Sequence, residues 1–232
     1  VTHIEAAINF LKLSDKQSNV IYVFGVYEGE NICDILHYAD VHEVQIDKLW
    51  GFDTFCGLPE EAEGVPKHES LVTGLHDTRC QHGVKYRYGK TVFKKTYINT
   101  REARRHILRR INDERVRLEH LKSSTLVSSR VPDWQLEPAD LMYINTSLYV
   151  TTVLVLDFMF GNNLVKDKCI IAYEKFKSTP KGWDGGEAKA HLKICQKYLV
   201  EFEELWYELL NGTEFRRNIG IVLSVGKKIK LL

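Results

Sequence analysis

An α/β fold with a doubly wound, mostly parallel sheet is what this sequence predicts, on three observations. Short, continuously apolar runs dense in β-branched and aromatic residues, such as Val20 to Phe24 and Lys168 to Tyr173, suit strands buried on both faces. Stretches with apolar residues at helical spacing alternate with those runs. The first run ends in a glycine turn, Gly25-Val26-Tyr27-Glu28-Gly29, and the next strand ends in a carboxylate, Asp53. Asp53 lies 24 positions beyond Gly29, close to the roughly 20 expected of a strand–helix–strand unit that holds a nucleotide.

In chain order, Ile4, Ala7, Ile8 and Leu11 predict an amphipathic helix that caps the sheet. Val20 to Phe24 is the first strand, and Ile32, Ile35, Leu36 and Ala39 mark the helix after Gly29. That helix points free backbone N–H groups at the strand's end, where a polar or anionic ligand group sits. Asp53, at the end of the second strand, is placed to accept hydrogen bonds from both hydroxyls of a ribose, and the turn through Pro59 leaves room for a base. Residues 60–99 are polar and irregular, a predicted lid or substrate loop. Within it His76, Cys80 and His82 have metal-ligand side chains but lack a fourth ligand in spacing.

Thr100 to Asn112 predicts a helix with Thr100 as N-cap, and Ala103, Ile107, Leu108 and Ile111 on its apolar face. Its other face carries Arg101, Arg104, Arg105, Arg109 and Arg110. No aromatic residue is interleaved for base stacking, so the reading is a solvated cationic face and not a nucleic-acid site. Arg115 to Leu121 and Asp140 to Ile144 are the third and fourth strands, Leu148 to Phe160 a helix, and Lys168 to Tyr173 the fifth strand. Glu187 to Leu210 has helical spacing at Tyr198, Phe202, Leu205, Trp206 and Leu209. Ile219 to Val225 and Ile229 to Leu232 read as a closing antiparallel hairpin turning at Gly226. The whole is a Rossmann-like sheet with an antiparallel C-terminal hairpin, expected as a single domain over 1–232.

The bulk properties agree. The chain has 232 residues, 44% of them hydrophobic and 27% charged, enough for one sizeable core. A net charge of +1 points to neither nucleic acid nor membrane as a partner. The five cysteines, Cys33, Cys56, Cys80, Cys169 and Cys195, are odd in number and lack any C-x-x-C spacing, which argues for reduced thiols in a cytoplasmic compartment. No basic-then-apolar secretory signal opens the sequence. The most apolar run, Leu148 to Phe160, is 13 residues long and carries Asp157, too short to span a bilayer.

Four blocks, taken together and in order, resemble the class I S-adenosylmethionine-dependent methyltransferases of the macrocin O-methyltransferase type over roughly residues 20 to 225. They are Phe24-Gly25-Val26-Tyr27-x-Gly29, Gly51-Phe52-Asp53-x-Phe55-x-Gly57-Leu58-Pro59-Glu60, Tyr143-Ile144-x-x-x-Leu148-Tyr149-x-x-Thr152 and Gly182-Trp183-x-x-Gly186-Glu187-x-Lys189-Ala190. The second is the most specific. The resemblance implies an enzyme that methylates a hydroxyl of a small molecule or sugar, with S-adenosylmethionine held by Gly25, Tyr27, Gly29, Asp53, Phe55 and Asn145. Where that family carries the acid that holds the cofactor's amino group, this chain has Val23, with Glu28 and Glu30 as candidate substitutes. Where it carries two fourth-strand aspartates this chain has Asn145 and Ser147, and for the acids ending strand five it has Tyr173-Glu174. Those acids hold magnesium in the family. One carboxylate beside neutral groups is a poor Mg²⁺ site, so no magnesium and no other metal is expected. Two readings follow: metal-free methyl transfer with Glu174 or His191 as base, or a catalytically silent fold that binds a protein partner.

Overall fold

The computed structural model describes residues 2–14, 17–65, 71–77, 80–81, 94–95, 99–122, 125–177, 186–209 and 216–226. The elements run α1 (His3–Lys12), β1 (Asn19–Phe24), α2 (Glu30–Val41), β2 (Ile46–Asp53), the two-residue strands β3 (Cys80–Gln81) and β4 (Lys94–Lys95), and α3 (Thr100–Ile111). There follow β5 (Val116–His120), the single-turn α4 (Arg130–Asp133), β6 (Ala139–Ile144), α5 (Tyr149–Gly161), β7 (Val165–Lys177), α6 (Gly186–Tyr198), β8 (Val200–Leu209) and β9 (Arg216–Val225).

Seven strands form one sheet in the order β5-β2-β1-β6-β7-β9-β8. β5, β2, β1, β6 and β7 are mutually parallel, whereas β9 runs antiparallel to both β7 and β8. The period-two alternation of each strand sorts its side chains between two cores. Ile21, Val23, Leu49, Leu141 and Tyr143 face the helices α1, α2 and α3. Val20, Tyr22, Phe24, Trp50, Phe52, Met142 and Ile144 face α5 and α6. Within the second core Phe24 and Phe52 stack at 5.2 Å between neighbouring strands. Both faces of β1 and β6 are buried, which is why those strands read as unbroken apolar runs.

Three expectations give way. The helix predicted over Glu187 to Leu210 stops at Tyr198, and Leu199 takes a left-handed φ of 52° that turns the chain into β8. The spacing of Tyr198, Phe202 and Trp206 fits a helix face. In the structure Val200, Phe202 and Trp206 instead pair with Val225, Val222 and Ile219 along β9, with ladder irregularities at Glu201/Phe202 and Glu204/Trp206. The antiparallel hairpin is therefore β8–β9; Ile229 to Leu232 lie outside the described residues. The N-cap of α3 is Asn99, whose side chain accepts from Glu102 N–H, and Thr100 is the first helical residue. Of the predicted 60–99 loop, the described parts include the antiparallel pair β3–β4. His82 and the Gly182 to Gly185 part of the fourth block are outside the described residues. No described helix is long and apolar enough to cross a membrane.

Candidate functional site

Strand order reverses between β1 and β6, and in such sheets the crevice beyond the carboxyl ends of the strands receives the ligand. A cleft opens there, with about 730 Å³ of empty space when its open mouth is included. Gly25, Tyr27, Asp53, Thr54, Leu58 and Leu121 line the β1/β2 end, and Asn145, Thr146, Ser147, Glu174 and Lys175 the β6/β7 end.

Gly25 is required by sterics. It has φ +89°, and a Cβ there would lie 2.1 Å from the Asn145 carbonyl oxygen. Its N–H donates to Phe52 O at 2.9 Å, and Asn145 N–H donates to Phe24 O at 2.7 Å, so the turn is clamped between β2 and β6. Tyr27, Phe55, His76 and Ser147, all non-glycine, also adopt left-handed φ around the cleft.

Asp53 reaches back to that turn. Its Oδ2 accepts from Val26 N–H at 2.7 Å and Tyr27 N–H at 2.9 Å, and its Oδ1 accepts from Phe55 N–H at 2.7 Å. Burial pushes its pKa up and the three N–H donors oppose that rise. A carboxylate has about four acceptor positions, so Asp53 retains about one, on Oδ1.

Glu174 lines the cleft but is spent inside the protein. Its Oε2 accepts from Tyr143 OH at 2.6 Å, and its Oε1 from Arg217 Nη2 at 2.7 Å and Nε at 3.0 Å. His3 Nδ1, at 3.4 Å from Oε2, is at ion-pair distance without hydrogen-bond alignment. Burial disfavours its charge, but His3, Arg217 and Tyr143 outweigh it and hold the pKa at about 2. A carboxylate that weakly basic, with its oxygens occupied, is no general base. His191 is not among the cleft-lining residues. It is buried, its Nδ1 is 2.9 Å from Tyr173 OH, and its ring packs edge-on against Phe202 at 4.5 Å. Burial lowers its pKa to about 4, so it is a neutral core residue.

Phe55 and Gly29 also lie behind the cleft wall. Phe55 is buried in the core, with its ring near His120, and Gly29 is the left-handed N-cap of α2, against Ile107 of α3. Glu28 and Glu30 pair with Arg110 at 3.6 and 3.7 Å. They face α3 and offer no substitute acid.

Two residues that sequence reasoning passed over shape the β6/β7 end. Glu187, in the first turn of α6 and fully buried, accepts from Ser147 N–H at 3.0 Å and from Lys175 N–H at 2.8 Å. It joins the loop after β6 to the end of β7. Burial raises its pKa to about 7, against the pull of those donors and of Lys175. Lys175 Nζ donates to Ser147 Oγ at 3.1 Å. For Glu187 a signal is available: an acid in the first turn of a helix is placed to meet backbone donors.

The residues implied by a magnesium reading do not fit the ion. Tyr173 turns into the core, Glu174 is held by Arg217, and the remaining positions are an amide and a hydroxyl facing an ammonium. Among the described residues no three His, Cys, Asp or Glu side chains converge as a metal site.

Solved structures similar to this chain include several methyltransferases. The calicheamicin methyltransferase CalS11 is similar at a TM-score of 0.58 and 17% identity, covering 94% of this chain and 76% of its own. The O-methyltransferase NovP is similar at 0.56 and 14%, covering 97% and 78%. TomG of Streptomyces achromogenes, an O-methyltransferase of tomaymycin synthesis in complex with S-adenosylmethionine, is similar at 0.52 and 8%, covering 97% and 82%. The fold is that of the class I methyltransferases. No protein-family model matches the chain, and no curated protein matches it by sequence. At such identities the likeness carries the fold, and the chemistry rests on the residues in the cleft.

Proposed function

We propose that the cleft binds S-adenosylmethionine and that the protein transfers its methyl group to a hydroxyl of a small molecule without a metal. The observation that carries this reading is the Gly25 turn braced by Asp53 at the topological switch point, with both residues lining the cleft. Bound there, the cofactor supplies an electrophilic methyl group. The chain contributes positioning: Gly25 admits the ligand close to backbone, Asp53 orients a ribose hydroxyl, and Asn145, Thr146 and Ser147 offer polar groups beyond it. The bound cofactor would supply its methyl group to an acceptor hydroxyl, and Gly25, Asp53 and the loop of Asn145, Thr146 and Ser147 would hold it in place.

A second reading, a silent fold that serves as a binding module, is favoured by one finding: both candidate bases are unavailable, Glu174 in its ion pair and His191 in the core. Calorimetric titration with S-adenosylmethionine and S-adenosylhomocysteine, with and without Mg²⁺, separates the two. Micromolar affinity indifferent to magnesium is expected. No heat at millimolar ligand from demonstrably folded protein overturns cofactor binding and leaves the binding module.

A further inference from the structure

The β6/β7 end of the cleft presents a cation that no described carboxylate reaches at ion-pair distance. Among the cleft-lining residues Lys175 is the lysine or arginine, and its ammonium donates one hydrogen bond, to Ser147 Oγ at 3.1 Å. No described carboxylate forms an ion pair with it. The two acids beside it are already committed: Glu174 to Arg217 and Tyr143, and Glu187 to two backbone N–H groups in a site closed to solvent. Asn145, Thr146 and Ser147 complete that end and are uncharged. An ammonium has three donors, so two remain for a ligand.

We propose that Lys175 is a carboxylate-binding residue, which takes the α-carboxylate of the amino-acid half of the cofactor. This rests on the cofactor reading above. The cleft has a hydrogen-bond acceptor at its Asp53 end and a cation at its Lys175 end. A nucleoside linked through sulfur to an amino acid matches that order: ribose hydroxyl to Asp53, carboxylate to Lys175. A charge-assisted hydrogen bond of this kind is worth roughly tenfold to a hundredfold in affinity.

The test compares S-adenosylhomocysteine with 5′-methylthioadenosine, which keeps the nucleoside and thioether but lacks the amino acid, on wild type, Lys175→Met and Lys175→Arg. Both substitutions keep the backbone N–H that Glu187 accepts, and thermal melts check that each variant is folded. Lys175→Met is expected to weaken S-adenosylhomocysteine by roughly tenfold to a hundredfold and to leave methylthioadenosine unchanged, while Lys175→Arg retains most of the preference. An unaltered preference in folded Lys175→Met overturns the assignment, and places the lysine opposite some other group such as an acidic acceptor. Failure of both ligands to bind wild type removes the cofactor reading itself, a result visible before any variant is made.

Discussion

At the β1/β2 end of the cleft one carboxylate, Asp53, is held by three backbone N–H groups and keeps an acceptor position for a ligand. At the β6/β7 end two carboxylates, Glu174 and Glu187, are used within the protein, and Lys175 is the lysine or arginine that lines the cleft. The two acids of the second end also differ from each other. Glu174 meets the His3 imidazole, a guanidinium and a phenol, which together overcome burial and hold it at about 2. Glu187 meets mainly backbone dipoles, burial prevails, and it rises to about 7. Availability for chemistry is thus set by what each carboxylate faces, and residue type alone says little about it.

The contrast can be broken from either side. The largest effect is expected for Gly25→Ala, since its Cβ has only backbone to displace and the left-handed φ adds strain. A loss of about 3–5 kcal/mol in urea unfolding is expected, with nucleotide binding abolished. Wild-type stability after this substitution would mean that the turn is not clamped between β2 and β6.

Glu174→Gln should come next. It leaves Arg217 without its anion and is expected to cost about 3 kcal/mol at neutral pH, while removing an acid-dependent part of the stability curve. The sign follows from a folded pKa below the ordinary value of about 4.5: the stabilisation is present above that value and lost as pH falls toward about 2. An acid limb in the variant as steep as in wild type would show that the ion pair is not what lowers Glu174.

Glu187→Gln sharpens the comparison, because the sign is reversed. A folded pKa of about 7 means that the native state holds the proton more tightly than the unfolded chain, so stability falls as pH rises from about 4.5 to about 7, by up to about 3 kcal/mol. Denaturation midpoints between pH 5 and 8 should flatten in the variant. An identical slope in both proteins would place the titration elsewhere.

The parts legible in the sequence are those fixed by short-range pattern. β1 and β6 announce themselves because both their faces are buried, and the Gly25 turn and Asp53 because a strand–helix–strand unit spaces them. The α6–β8 boundary was hidden because Tyr198, Phe202 and Trp206 satisfy a helix face and an irregular strand alike; the deciding feature is the left-handed backbone of Leu199. The fate of Glu174 was hidden for another reason. Its partners come from α1, β6 and β9, and no local spacing reveals that an arginine 43 positions away will neutralise it. Lys175 was overlooked because a lysine at a strand end is commonplace until the acids beside it are seen to be occupied.

The His3 contact at the head of α1 carries one more consequence. Bracing the turn joins Tyr27 to Asp53 across 26 positions, whereas the polar set behind Glu174 includes His3 against Asn218 O, across 215. Closing the longer loop costs about 2 kcal/mol more in chain entropy, by the logarithmic growth of loop closure with length. The Asp53 brace is closed within one βαβ unit; the charged end exists only once the head of the chain and its last described strand have met.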